Sequence, residues 1–414
     1  MNQAINNSGR SGWICCQLGA REHYAIPRAL HSHGALRNLV TDAWVRPGSL
    51  LGRYRRSWSE RFHSGLTGAE VNSSNAALLR FELSARLRGL SGWTRTMARN
   101  RWFQSQTIRH LQSLISSLRP LPSDVTLFAY SYAALELFRF AKEQGWRTVL
   151  GQIDPGLQEE RLVQQLFESS SGGLGDWAPA PPGYWQMWRE ESALADAIVV
   201  NSQWSRQGLL AEGVPASKLR VVPLAFEGGI PTKGNGFERN FPDQFTTERP
   251  LRVLFLGQIN LRKGIAPLFE AVRLLRQEPI EFWFVGPVQI RIPNDLADAP
   301  NIRWIGPVSR QATASFYRDA DVFLFPTLSD GFGLTQLEAQ AWQLPVIASR
   351  FCGEVVQPGV NGLILNEVTA ERITEALRNC LLHPALLAEF SRSAVNPETF
   401  GLEALGLNLL GIKP

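Results

Sequence analysis

Two successive runs of alternating apolar strands and helices predict an α/β protein of two domains, each built on a parallel sheet. Three observations carry this. The strand candidates are short continuous apolar runs, as suits strands buried on both faces. Helix-length segments separate them, as βαβ units require. A Gly- and Pro-punctuated stretch without periodicity, 228–250, interrupts the alternation, which then restarts.

The first half opens with WICCQL (13–18) as a strand, followed by Gly19 and a helical segment over about 22–32. The next strand centres on 39–40, and the arginine-rich region after it reads as helix over about 75–117. DVTLFAY (124–130) is a strand, ALELFRFAKEQ a helix and TVLGQID (148–154) a strand. The Gly/Pro-rich 171–183 reads as a loop. A helix over about 185–195, a strand in ADAIVVNS, a capped helix in SQWSRQGLLAEG and a strand in LRVVPL (219–224) complete this half. The second half gives strands in LRVLFLG (251–257), IEFWFVG (280–286), NIRWIGPV (301–308), DVFLFPT (321–327), PVIAS (345–349) and GLILN (362–366). Helices fall at about 265–277, about 310–318, from about 334, and beyond 366. The expected domains are 1–227 and 251–396, with 228–250 as linker and 397–414 free to cross back to the first.

Composition excludes several classes. The 414 residues are 44% hydrophobic and 19% charged, as in ordinary globular chains. The polar start MNQAINNSGRSG reads as a loose tail rather than a signal peptide, and no apolar run reaches the ~18 residues of a membrane span. Cys15, Cys16, Cys352 and Cys380 have no metal-ligand spacing, so they read as reduced thiols of a cytoplasmic protein. No G-x-G-x-x-G follows the first strand, which argues against a dinucleotide oxidoreductase. The net charge of +5 is unevenly placed: 46–109 is crowded with arginines and holds only Glu60, Glu70 and Glu82 as acids. Trp58, Phe62, Trp93, Trp102 and Phe103 interleave with them. Two readings stand, docking to an anionic membrane face or acidic acceptor, and a solvated helical surface with aromatics in the core. Nucleic acid is not the expected partner, since no binding motif accompanies the charge.

Two segments carry chemistry. Gly257-Gln-Ile-Asn-Leu-Arg262-Lys263-Gly264 leaves a strand and enters a helix. Adjacent cations there suit a diphosphate, Arg by its fork and Lys as a mobile point charge. Its plainer reading is a solvated basic turn. Ser329-Asp330-Gly331-Phe332-Gly333-Leu334-Thr335-Gln336-Leu337-Glu338 also runs from strand to helix. Free amides at a helix start attract an anion, and Glu338 in the first turns can accept bonds from sugar hydroxyls. The alternative is a glycine turn with Glu338 answering the helix dipole. Gly353-Glu354-Val355-Val356 and the Pro358–Leu363 stretch read as turn punctuation.

In order and spacing these segments resemble the retaining family 4 glycosyltransferases, whose fold is GT-B: two Rossmann-like α/β domains facing each other across a cleft. The resemblance is strongest over 195–366. It lies in DAIVVNSQWSRQGLLAEGV, KLRVVPLAFE with Glu227 at the acidic position, GQINLRKG, SDGFGLTQLEAQAWQLPVIAS with two acids eight positions apart, and FCGEVVQPGVNGLIL. It implies that Arg262 and Lys263 bind the donor diphosphate and Glu338 the ribose hydroxyls. Asp330 would contact the transferred sugar, where the family usually has Glu. Backbone near Phe332, Gly333, Leu334 and Thr335 would complete the anion site, with Gly257 and Gly19 facing the phosphates. The usual active-site histidine is missing. Gln152, Ile153 and Asp154 occupy its neighbourhood, and a second frequent site reads Tyr130-Ser131-Tyr132. Asp154 is then either the local catalytic candidate or a strand-end turn residue before Pro155, and His23 either faces the cleft or is structural.

The expected activity is retaining transfer of a sugar from a nucleotide-diphosphate sugar to a glycan or lipid-linked acceptor. It needs no metal or other cofactor, and would serve cell-surface glycan or glycolipid synthesis on the cytoplasmic side, with peripheral attachment to the inner membrane face. The competing expectation is a nucleotide-sugar-binding protein without transferase activity.

Overall fold

A computed structural model of the chain describes residues 12–49, 61–117, 124–169, 177–228 and 237–412. Seven parallel strands form the first sheet: β1 Gly12–Gln17, β2 Leu36–Thr41, β3 Val71–Ser73, β4 Val125–Tyr130, β5 Arg147–Gln152, β6 Ala197–Val200 and β7 Leu219–Val221. Their spatial order is 3-2-1-4-5-6-7. Six parallel strands form the second: β8 Leu251–Leu256, β9 Ile280–Val285, β10 Ile302–Gly306, β11 Val322–Phe325, β12 Val346–Ser349 and β13 Gly362–Leu365. Their order is 10-9-8-11-12-13. The central strands β1 and β4 are buried along their whole length, which is why they read as unbroken apolar runs. Strand order reverses between β1 and β4 and between β8 and β11. In open α/β sheets the crevice beyond the carboxyl ends at such a reversal is where ligands bind.

Several elements depart from expectation. A helix, Leu157–Ser169, follows β5 where none was predicted. None of its residues is fully buried. The expected helix over 75–117 is two, Asn75–Leu87 and Gly92–Ser117, broken where Gly89 and Gly92 adopt φ of 65° and 50°. The segment after Gly19 begins as a tight turn, with Glu22, His23 and Tyr24 at φ of 50°, 49° and 63°, before the helix Ala25–Ser32. Part of the expected loop, 170–176, and part of the expected linker, 229–236, lie outside the described residues.

The rest of that linker is packed rather than free. Phe245 is buried in the second domain's core, and Phe237 meets the Trp342 ring edge-on at 5.6 Å. The Arg239 guanidinium donates to the carbonyls of Tyr317 (2.6 Å), Arg318 (3.2 Å), Trp342 (3.0 Å) and Ala320. The second domain therefore begins ahead of β8. The last helix, Leu402–Leu410, crosses back to the first domain. Leu405 and Leu409 are buried there with Ala25, Ala29 and Trp13, and Arg147 donates to the Ile412 carbonyl at 2.7 Å. All four cysteines are buried and unpaired. Among the described residues no helix is long and apolar enough to cross a membrane.

Candidate functional site

The loops after β8 and β11 meet at Gly264. Its φ is 71°, and a Cβ there would lie 1.9 Å from the Pro326 carbonyl oxygen, so only glycine lets the loops touch. This contact brings the two predicted segments together. The Arg262 carbonyl accepts from Leu328 N (2.8 Å) and Thr327 Oγ1 (3.3 Å), while its guanidinium donates to the Ser329 carbonyl at 2.6 Å. Lys263 Nζ bonds Asp330 and lies 5.0 Å from the Phe325 ring centroid. Burial raises the Asp330 carboxyl, but Lys263 and then Arg262 outweigh it and hold the group below its ordinary range. Phe332 N donates to Asp330 Oδ1 at 3.2 Å. Phe332 itself is buried, and Gly333, at φ 84°, opens the helix Leu334–Ala341. The amides of Leu334 and Thr335 belong to the first turn, which has no carbonyl one turn back to receive them. Gly257 crosses Gly286 backbone to backbone at the ends of β8 and β9.

Glu338 stands apart from this cluster. Tyr317 Oη donates to its Oε2 at 2.7 Å. Beside it the domains leave a gap of only about 30 Å³, bounded by His23, Glu227, Arg310 and Leu334. That admits a water or two, not a ribose. Arg310 Nη1 lies 2.8 Å from His23 Nε2 across the gap, so His23 does face the other domain. Glu22 is half-buried at the same turn, and the enclosure of its carboxyl pushes it up to about 7. Glu227 is held by Arg28 at 2.5 Å.

On the first domain, Gly19 is not open to a phosphate as expected. Its amide donates to Asp42 Oδ1 at 2.9 Å, and a Cβ on it would meet the Arg61 guanidinium at 3.0 Å. Asp42 is itself paired to Arg61 and Arg99, each at 3.0 Å. Asp154 makes the strand-end turn bond and also faces the space between the domains. Its Oδ1 accepts from Gly156 N (2.9 Å), the local turn bond, and from Tyr132 Oη (2.6 Å) and Gln152 Nε2 (2.8 Å). It also lines a cleft of about 640 Å³ between the domains.

That cleft brings in residues the sequence reading passed over. Glu159, from the unexpected helix, accepts from Ser329 Oγ at 2.6 Å and lies 3.6 Å from Arg262 Nη1. Burial pushes its carboxyl up to about 7, more than Arg262 and Ser329 pull it down. The available signal was Glu159-Glu160 just after Asp154-Pro155-Gly156, an acidic first turn at a helix start. Trp93, Tyr132, Tyr184 and Trp185 form its aromatic wall, facing Asn260, Leu261 and Arg262. No group of three or more His, Cys, Asp or Glu among the described residues is arranged to hold a metal.

The arginine-rich region is partly described; Arg53, Arg55, Arg56 and Trp58 lie outside. Its described aromatics do not form an interfacial fringe. Phe103 is buried, Trp102 stacks on Phe81 at 5.3 Å, Phe62 packs on Trp44 at 5.1 Å, and Trp93 lines the cleft. The exposed apolar residues are instead Leu79 (43%), Leu83 (61%) and Leu87 (80%), one stripe of the helix Asn75–Leu87.

Residues 250–383 match the family described as glycosyl transferases group 1. The chain is 27% identical over 326 residues to a D-inositol 3-phosphate glycosyltransferase of Acidothermus cellulolyticus, covering 70% of this chain and 71% of that one. It is 26% identical over 195 residues to the amylovoran biosynthesis glycosyltransferase AmsK of Erwinia amylovora, covering 44% of this chain and 46% of that one, so this match spans under half of that relative. Its fold matches that of Anabaena HepE, solved in complex with UDP, with a TM-score of 0.57 at 12% identity over 96% of this chain and 98% of that one. Two parallel-sheet α/β domains in this arrangement are the GT-B fold.

Proposed function

We propose that this chain, whose residues 250–383 are a glycosyl transferases group 1 domain within a GT-B fold, moves a sugar from a nucleotide-diphosphate sugar to an acceptor hydroxyl with retention of configuration. The observation that carries this is the meeting of Arg262, Lys263, Asp330 and the start of the helix Leu334–Ala341 at the β8/β11 reversal. Negative charge grows on the leaving diphosphate as the glycosidic bond breaks. Two cations and a helix N-terminus already in position there lower the barrier without reorganising. Asp330 is the acid paired with Lys263, and its lowered pKa keeps it ionised beside a departing sugar. Retention fits acceptor attack from the face the diphosphate leaves. Reading the product anomer by NMR tests it: an inverted product removes the word retaining and leaves the transfer intact.

The decisive variant is Arg262→Ala with Lys263→Ala. Nucleotide-sugars bound to wild-type protein raise its melting temperature. Across a panel of UDP-, GDP-, ADP- and dTDP-hexoses, the double variant is expected to lose that rise and about 100-fold or more of its transfer rate. Wild-type-like donor binding and turnover would sink the assignment. Donor binding without turnover in the wild type, across sugar and lipid acceptors, would favour the binding-protein reading.

Glycan or glycolipid synthesis at a membrane is the context we favour, supported by the relative named for amylovoran biosynthesis. The leucine stripe Leu79, Leu83 and Leu87, with exposed Arg80, Arg86 and Arg88 beside it, suits an anionic bilayer. Vesicle sedimentation reads this. Preference for phosphatidylglycerol over neutral vesicles, reduced in Leu83→Asp, is expected; equal binding to both speaks against it.

A further inference from the structure

We infer that the cleft of about 640 Å³ holds an uncharged sugar ring of the acceptor, not a phosphorylated polyol. This rests on the transferase reading and specifies its second substrate. The volume falls within the ~300–1,000 Å³ of small-molecule sites.

One wall is a continuous set of rings. Tyr132 and Tyr184 stack at 4.9 Å, Trp93 tilts onto Tyr184 at 4.9 Å, and Trp185 stands edge-on to both tyrosines at 5.9 and 5.3 Å. The rim carries carboxylates. Asp154 uses Oδ1 for its internal bonds and Glu159 uses Oε2, which leaves Asp154 Oδ2 and Glu159 Oε1 to accept from a guest. A sugar ring matches both features, with a flat C–H face for aromatic carbons and hydroxyl donors at its edge.

Charge decides against a phosphorylated acceptor. The lining holds Asp154, Glu159 and Glu160, and its one cation among the named lining residues is Arg262. Arg262 already faces Glu159 and the Ser329 carbonyl, and is the residue assigned to the donor diphosphate. A second phosphate would therefore enter a partly desolvated cleft against carboxylates with no free cation, which is repulsive. Neutral hydroxyls meet no such cost. Similarity to a D-inositol 3-phosphate glycosyltransferase thus does not carry over to the acceptor.

The test is calorimetric titration of the full chain, with and without saturating UDP, using maltose, lactose, cellobiose and D-inositol 3-phosphate as probes. UDP fills the nucleotide-diphosphate part of the donor site, and the tryptophan variants on the cleft wall then report whether the sugar bound beside it sits in the cleft. At least one neutral disaccharide is expected to bind with UDP present, at least tenfold tighter than the inositol phosphate. Trp177 also lines the cleft, and Trp93→Ala and Trp177→Ala are each expected to weaken sugar binding tenfold or more while keeping UDP binding, which also reports that the variants fold. Tighter binding of the inositol phosphate overturns the inference. So does the absence of any disaccharide binding in protein that takes up UDP, or sugar affinity unmoved in both tryptophan variants. A wild type that does not bind UDP fails the donor assignment instead, and sugar binding measured without UDP still reports on the cleft.

Discussion

Both cations assigned to the donor already have carboxylate company, Lys263 with Asp330 and Arg262 with Glu159. A desolvated cation left alone is costly, and under the proposed donor assignment these carboxylates are stand-ins that a diphosphate would replace. Lys263→Met leaves Asp330 buried without its partner. A loss of about 3–5 kcal/mol in denaturant unfolding is expected, together with a rise of the Asp330 carboxyl toward and beyond its ordinary range. If Arg262 binds the donor diphosphate as proposed, Glu159 would give that binding a pH dependence: ionised, its carboxylate would compete for Arg262, and protonated it would not. With its pKa raised to about 7, UDP-glucose affinity is expected to fall as pH rises through about 7, and Glu159→Gln to flatten that fall. Isothermal titration across pH 5.5–8.5 in wild type and variant checks it, and parallel profiles would refute the competition.

Element ends, more than element interiors, build this site. Glu191 shows how one helix fixes one strand end. From the helix Pro182–Leu194 it accepts from Tyr132 N at 2.5 Å and Ala134 N at 3.0 Å, just beyond β4. Burial pushes its carboxyl from 4.5 up to about 8, against those backbone bonds. An unfolded Glu191 releases its proton near 4.5 while the folded one keeps it to about 8, so the folded state binds more protons in between. Its contribution to stability therefore declines as pH rises from about 4.5 to about 8 and is level above that. Glu191→Ala unpairs the two amides and should cost about 2–3 kcal/mol, and it should remove this part of the pH decline in melting temperature. Gly331 sits at a similar junction between domains, where a Cβ would come within 2.1 Å of the Ile153 carbonyl oxygen. Gly331→Ala is expected to wedge the domains apart and weaken donor binding tenfold or more. An unchanged circular dichroism spectrum would separate this from unfolding.

Across the whole molecule the described arrangement is closed. Trp204 Nε1 donates to Ser329 Oγ at 3.0 Å, Gln203 N to Glu354 Oε1 at 2.9 Å, and His23 meets Arg310. The gap at Glu338 is too small for a nucleoside, so a donor that uses Glu338 must part the domains first. The last helix limits how they part. It leaves the second domain and buries Leu405, Leu409 and Ile412 in the core of the first. Truncation after Asn396 uncovers that apolar surface on the helix Ala25–Ser32 and β1. A lower melting temperature and new binding of a hydrophobic dye are expected, and a truncated chain as stable as the full one would show that the crossing is dispensable.

Local patterning was enough to announce the double α/β design, because strands buried on both faces must be apolar throughout and their connecting helices must be long. That Arg262, Lys263 and Asp330 would come together was legible too, because both segments that carry them run from a strand end into a helix; that Glu338 stands apart from them was not. Other facts were settled only by chain segments meeting far from one another in sequence. Gly19 looked open to a phosphate until Asp42 took its amide. The aromatics between the arginines could be read as interfacial or as core until those described turned inward. Glu159 was one acid in a helix the sequence reading passed over until the loop after β11 delivered Ser329 to it. Sequence period records which face of an element is apolar, but not which partner that face or its polar end will meet. Here the partner decides which cations are free, which carboxyls stay protonated near neutral pH, and what the cleft between the domains can hold.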